Sequence, residues 1–157
     1  MATEIGKILL MDPDELAYRC AEAMYERDSA SQEMGIKLRE NRAGYAVLEM
    51  EITKVMANGG GVCHGGYLFS LADTAMAFAS NSRNDAYVAV SASIEFLAAG
   101  RIGQTVSALA TEKHRAGRTA TYTVAVIDDT GQAIAQFLGR TYRVRGSVLP
   151  GPRDSTT

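Results

Sequence analysis

The sequence predicts an α+β fold: one curved antiparallel β-sheet wrapped around one long, central apolar helix. Three observations carry that expectation. The stretch Tyr67–Ala79, "YLFSLADTAMAFA", is apolar on nearly all sides, and such a helix must be covered on nearly all sides. Two strand-like runs precede it and four follow it, bounded by Gly, Asn or Asp turn signals. The resulting order, helix, two strands, apolar helix, four strands, lays one long helix against one antiparallel sheet. A length of 157 residues suits a single domain with a real core.

The elements follow in order. The first helix opens at Asp12 as N-cap, with Pro13 at the first helical position and Glu15 placed to complete a capping box. Leu16, Cys20, Ala23 and Met24 fall on one face of it. Gly35 ends the segment that follows. The runs "IKLRE" and "YAVLEMEIT", separated by "NRAG", read as a hairpin, and "KVMANGGG" reads as a loop. The apolar helix comes next. After Asn84-Asp85 the period changes: "YVAVSASIEF", "QTVSALATEKHR", "RTATYTVAVID" and "AIAQFLGRTYRV" read as strands, and "DDTGQ" as a tight hairpin turn. One domain is expected over residues 1–146, with its N-terminal helix, and a disordered polar tail over 147–157. No internal repeat or low-complexity segment is present.

Composition narrows the function classes. The net charge of −2 gives no broad basic face for nucleic acid. Two cysteines, Cys20 and Cys63, without CxxC spacing argue against a zinc site or disulfide framework and suit a reducing cytoplasm. The N-terminal apolar run is too short and too acidic for a signal peptide. No run reaches the roughly 18 apolar residues a membrane span needs.

Ser70, Asp73 and Thr74 are the polar exceptions in the apolar helix, and their spacing puts them on one narrow face. That face must be wet, paired with another chain, or reserved for a ligand. A buried unpaired carboxylate shifts its pKa or finds donors. From the residues alone, Asp73 reads equally as a hydrogen-bonded structural group and as a functional carboxylate. "HGG" at 64–66 opens the helix, where N–H groups lack intrahelical partners and can hold a developing oxyanion. Gly65 and Asp73 are eight residues apart, about 12 Å along a helix axis. One carbonyl cannot touch both in one chain. If both act together, Asp73 comes from an antiparallel second copy in a two-fold dimer, with a dimer of dimers as the expected assembly.

"HGGYLFSLADTAMAFASNS", "AMYERDSASQEMGI" and "ASIEFLAAG" resemble the PaaI-like hotdog-fold acyl-CoA thioesterases, associated with phenylacetate degradation. The resemblance covers the chain from about Leu16 to Val144. It implies a hotdog fold and hydrolysis of a coenzyme A thioester, with an aryl-acyl group such as phenylacetyl or hydroxyphenylacetyl. Coenzyme A enters as part of the substrate, with no separate cofactor and no metal. The resemblance gives Asp73 the catalytic role and the Gly65 N–H the task of polarising the thioester carbonyl. His64 and Asn58 match residues that shape or orient the pocket, and Thr74 matches the hydroxyl residue beside the acid. One position departs: Arg27 stands where some members carry asparagine, so the polar substrate contact of that position is not carried over.

His64 reads as an orienting residue rather than a general base. His114 sits in a charged strand end and reads as a surface residue. Cys63 beside His64 is not read as a nucleophile, since sequence neighbours rarely face each other productively. Met50, Met56 and Met76 read as core or pocket lining. Lys113, Arg115 and Arg118 are either a solvated strand edge or a cradle for the coenzyme A phosphates; Gly117-Arg118, with Gly66, are the candidate substrate contacts. Two rival functions stand beside the thioesterase: a hotdog hydratase that keeps the thioester, and a non-catalytic acyl-CoA sensor. The hydratases' histidine-and-acid context and a DNA-binding extension are both missing from the sequence.

Overall fold

Strand alternation sets the inner face of the sheet in the computed structural model of the chain, which describes residues 4–150. The strands are β1 (Lys37–Arg42), β2 (Tyr45–Glu51), β3 (Asp85–Phe96), β4 (Thr105–Ala116), β5 (Thr119–Ile127) and β6 (Ala133–Ser147). They form one antiparallel sheet in the order β1-β2-β4-β5-β6-β3. Ala46, Leu48 and Met50 on β2, Val106, Ala108 and Ala110 on β4, and Tyr122, Val124 and Val126 on β5 are all buried. They occupy every second position, because successive side chains of a strand face opposite sides.

Against this face lies α4 (Gly65–Ser80), which touches all six strands. Leu68, Leu71, Ala72, Ala75, Met76, Phe78 and Ala79 are buried there. Each large side chain so placed contributes about 1.5–3 kcal/mol. Gly139 of β6 lets Met76 approach closely: a Cβ there would collide with Met76 and would stand 2.8 Å from Phe137 Cε1. The α+β expectation of a sheet around an apolar helix holds.

The helices preceding the sheet differ from the expectation in detail. A short helix, α1 (Glu4–Leu9), precedes the one anticipated at Asp12. In α2 (Pro13–Arg27), Asp12 caps as expected, its Oδ1 accepting from the N–H of Asp14 at 2.9 Å. Glu15 pairs instead with Arg19 one turn on. The buried stripe is Ala17, Cys20 and Ala21, so Leu16 and Ala23 stand at its margins. The cause is docking on β1, where Asn41 Nδ2 donates to the Ala17 carbonyl at 2.7 Å. A separate helix, α3 (Ser29–Glu33), follows, and Gly35, at φ 69°, ends it as anticipated.

The hairpin between β1 and β2 closes on Ala43-Gly44 alone, a tighter turn than "NRAG". The "DDTGQ" turn forms around Asp128, whose Oδ1 accepts from the N–H groups of Thr130 and Gln132, each at 2.9 Å. Of the tail expected over 147–157, Ser147 ends β6 and the Leu149 N–H donates to Asn84 Oδ1 at 2.8 Å. The disorder expected there therefore does not extend to 147–149, and residues 151–157 lie outside the described residues.

Candidate active site

The first turn of α4 is held in place by the loop before it. Asn58 Oδ1 accepts from the N–H of Gly60 at 2.9 Å and of Val62 at 3.3 Å. The His64 N–H donates to Met56 O at 2.8 Å, and the Cys63 N–H to Gly100 O at 2.9 Å. His64 is thereby fixed as N-cap, and its Nδ1 accepts from the Gly66 N–H at 2.9 Å. That bond uses Nδ1 as the acceptor and leaves Nε2 as the ring's other polar atom. The Tyr67 N–H donates to His64 O at 3.0 Å. Among the described residues, no group accepts from the Gly65 N–H. Of the first three N–H groups of α4, only that of Gly65 is open, and it carries the positive end of the helix dipole.

Each glycine of "HGG" has a side-chain ring close to it. A Cβ at Gly66 would stand 3.1 Å from His64 Nδ1, against the capping ring. A Cβ at Gly65 would stand 2.6 Å from Phe96 Cζ. Neither glycine is among the residues with positive φ, and a methyl at either would press on a side-chain ring rather than on backbone.

Farther along α4, Phe69, Ser70, Asp73, Thr74 and Ala77 line one side of a pocket of about 620 Å3. Met24, Arg27, Asp28, Ser31 and Met34, from α2, α3 and the residues flanking α3, line the other. The volume suits a small organic ligand. Burial raises the pKa of Asp73 above the ordinary aspartate value. Among the described residues, nothing donates to its carboxylate, so burial of the charged form goes uncompensated. Thr74 Oγ1 lies 3.3 Å from Ser31 Oγ, and Ser31 is held by the Asp28 carboxylate that caps α3. The Ser70 hydroxyl turns back to Gly66 O at 2.9 Å.

Arg27 also lines the pocket, but its Nε donates to Ala23 O at 3.0 Å and its Nη2 to Val148 O at 3.2 Å. Gly117 and Arg118 form the exposed tip of the β4–β5 hairpin. They lie beside Arg143, which binds the Asp85 just beyond the C-terminal end of α4. Within one chain they are thus not brought together with His64–Gly66. Lys113 and His114 are exposed; Arg115 is tied to Tyr87 and Asp85. Met50, Met56 and Met76 are core, and Cys63 is buried. Among the described residues, no three His, Cys, Asp or Glu side chains converge to hold a metal ion.

The family model described as Thioesterase superfamily matches residues 60–135, which hold α4, β3, β4, β5 and the start of β6. Acyl-coenzyme A thioesterase PaaI of Escherichia coli K12 is 39% identical over 132 residues, 84% of this chain and 94% of that one. The chain belongs to the PaaI-like hotdog-fold acyl-CoA thioesterases. A putative esterase of Archaeoglobus fulgidus is 35% identical over 87% of this chain and 88% of its own length. The solved structure of the E. coli PaaI protein, from the phenylacetic acid degradation operon, superposes with a TM-score of 0.85. The two are 38% identical over 87% of this chain and 99% of that one.

As a PaaI-like thioesterase the protein is a thioester hydrolase, and two features of its site escaped the sequence reading. Asp28 and Ser31 form the wall facing Thr74; the run "DSAS" carries the N-cap signal that would have marked them. Phe96 lies on Gly65 across the sheet edge, and no local signal announces a contact between residues so far apart in the chain.

Proposed function

We propose that this thioesterase hydrolyses an aryl-acyl-CoA, such as phenylacetyl- or hydroxyphenylacetyl-CoA, at sites shared between two copies of the chain. The observation that carries the reading is the pairing of one open donor with one unpartnered acid. The Gly65 N–H and the Asp73 carboxylate both lack partners among the described residues, yet stand about 12 Å apart along α4. An antiparallel second α4 would bring the acid of one chain to the donor of the other. The edge position of β3 supports the assembly: it ends the sheet and exposes Val88 and Val90, and an unpaired edge is a template for a second copy. A dimer of such dimers is the proposed full assembly. Phe69, Met24 and Met34 around the pocket suit an aryl group, and the E. coli relative is named an acyl-coenzyme A thioesterase.

In the proposed reaction, Asp73 takes a proton from water as the water oxygen bonds to the thioester carbonyl carbon. The carbonyl electrons move to oxygen, held by the Gly65 N–H of the other chain. Collapse expels the coenzyme A thiolate, which takes the proton from Asp73. Alternatively the Asp73 carboxylate adds first and expels the thiolate, and water then attacks the mixed anhydride, its proton passing to the thiolate; label from 18O-water enters Asp73 in a single turnover only where that attack falls on the aspartyl carbonyl. His64 and Asn58 shape the donor's loop, and Thr74 braces the pocket wall through Ser31. Gly66 flanks the donor, while Gly117 and Arg118 of the other chain take the coenzyme A phosphates. The reaction needs no cofactor beyond water. The free thiols of Cys20 and Cys63 fit a cytoplasmic setting.

A panel of aryl- and alkyl-CoA thioesters, followed by thiol release and by mass detection of the acid, tests the reading. Fast thiol release from aryl thioesters supports it. Release from alkyl thioesters alone removes the aryl assignment. Conversion without thiol release would indicate a hydratase, and binding without conversion a sensor.

A further inference from the structure

Phe96 ends β3 opposite Ala135 of β6, in the same alternation as Ile94 opposite the fully buried Phe137. It therefore lies on the face of the sheet that carries α4. Its Cζ, Cε1 and Cε2 stand 2.6, 3.0 and 3.2 Å from the point a Cβ on residue 65 would occupy. Gly65 has no positive φ to require glycine. The ring is what a side chain at 65 would meet, and it would have to turn aside from the backbone to admit one. Yet Phe96 is 55% exposed in the single chain, so it does not fill that chain's core. It is a large apolar side chain set beside the open N–H of α4.

We infer that Phe96 is a positioning residue for hydrolysis: its ring is the apolar wall of the oxyanion site, keeping water off the Gly65 N–H and holding the thioester carbonyl against it. The inference rests on the reading of Gly65 as the oxyanion donor. A donor screened from water interacts more strongly with a developing charge. That charge exists in the transition state and not in the bound substrate, so the wall acts on kcat more than on KM. Glycine at 65 is the counterpart of the wall: it lets the ring lie against the backbone beside the donor.

The test measures kcat, KM and melting midpoint for Phe96→Leu, Phe96→Ala, Gly65→Ala and the double variant, with phenylacetyl-CoA or the fastest thioester of the panel. Phe96→Ala is expected to lower kcat about tenfold or more, with KM changed less than about threefold and an unchanged melting midpoint. Phe96→Leu, which keeps an apolar wall, retains most of kcat. Gly65→Ala costs activity alone but little on top of Phe96→Ala, because the added methyl takes the vacated space. Should Phe96→Ala melt early, Phe96→Val measured below its own midpoint takes its place. Wild-type kcat in Phe96→Ala, a loss confined to KM, or an equal cost of Gly65→Ala in both backgrounds overturns the wall. The donor is tested separately by an amide-to-ester replacement at Gly65, which removes only the N–H. A normal ester protein ends the donor reading whatever Phe96 does. A slow ester protein with a normal Phe96→Ala leaves the donor and ends the wall.

Discussion

At Asp73, burial raises the carboxyl pKa, and no described residue donates to the ionised form. The folded chain therefore holds this proton to higher pH than the unfolded chain does. The stability linked to it is full below the unfolded pKa and is lost as pH rises through the raised folded value. At neutral pH the charged acid works against the fold. Asp73→Asn should lower kcat by about 10²-fold or more while leaving the melting midpoint unchanged or higher; normal kcat with a normal melt would remove Asp73 from the chemistry. The acid limb of the wild-type kcat profile should lie above the ordinary aspartate range, as base or nucleophile strength requires the ionised form. Glu112 has the opposite sign. Burial raises its pKa, but hydrogen bonds from Arg83 and Tyr122, with the Arg83 charge, bring it below the ordinary glutamate value. Its stabilisation is present above the unfolded pKa and lost as pH falls through the lowered folded value. Glu112→Gln should cost about 2 kcal/mol at neutral pH, with the difference from wild type closing in acid; urea melts at several pH values decide this.

At the scale of elements, α4 both fills the core and lines the pocket. Its Ala72, Ala75 and Ala79 are small enough to bring the backbone near the sheet, and Met76 fits over Gly139. The stripe Phe69, Ser70, Asp73, Thr74 and Ala77 is left to the pocket. Gly139→Ala puts a methyl into Met76 and against Phe137, and overpacking of this kind costs about 1–3 kcal/mol. Differential scanning should show a lowered midpoint, with kcat below that midpoint largely kept because β6 at residue 139 does not line the pocket. A midpoint equal to wild type would mean that Met76 moves aside freely. The same close fit fixes α4 along its axis, and so fixes where Gly65 and Asp73 stand relative to the sheet.

For the whole molecule, the decisive quantity is a distance: a donor and an acid about 12 Å apart on one straight helix cannot share a carbonyl. Subunit exchange tests the two-fold solution. Mixing a Gly65→Ala chain with an Asp73→Asn chain gives heterodimers in which one site carries both lesions and the other carries none. Activity should return to about half of wild type per heterodimer, by the symmetry of an isologous pair. Verified heterodimers without activity, or a fully active isolated monomer, would separate the two residues.

Local periodicity made much of this protein legible. The apolar run of α4, the alternation of the strands, the Asp12 cap and the Asp128 turn each depend on residues within one or two turns of one another, and local backbone physics fixes them. The polar stripe Ser70, Asp73 and Thr74 was legible for the same reason. Tertiary structure alone decided what meets across the chain. It set β3 beside β6 at the sheet edge rather than beside its sequence neighbour β4, turned the buried face of α2 to Ala17, Cys20 and Ala21, and extended the ordered chain to Leu149 through Asn84. It also brought Ser31 to Thr74, Glu112 to Arg83 and Phe96 to Gly65. Such contacts follow from how whole faces pack, and a face is shared by residues with no fixed spacing in sequence. Asp73 and its helix could therefore be read from the chain, whereas the approach of Phe96 to Gly65 could not.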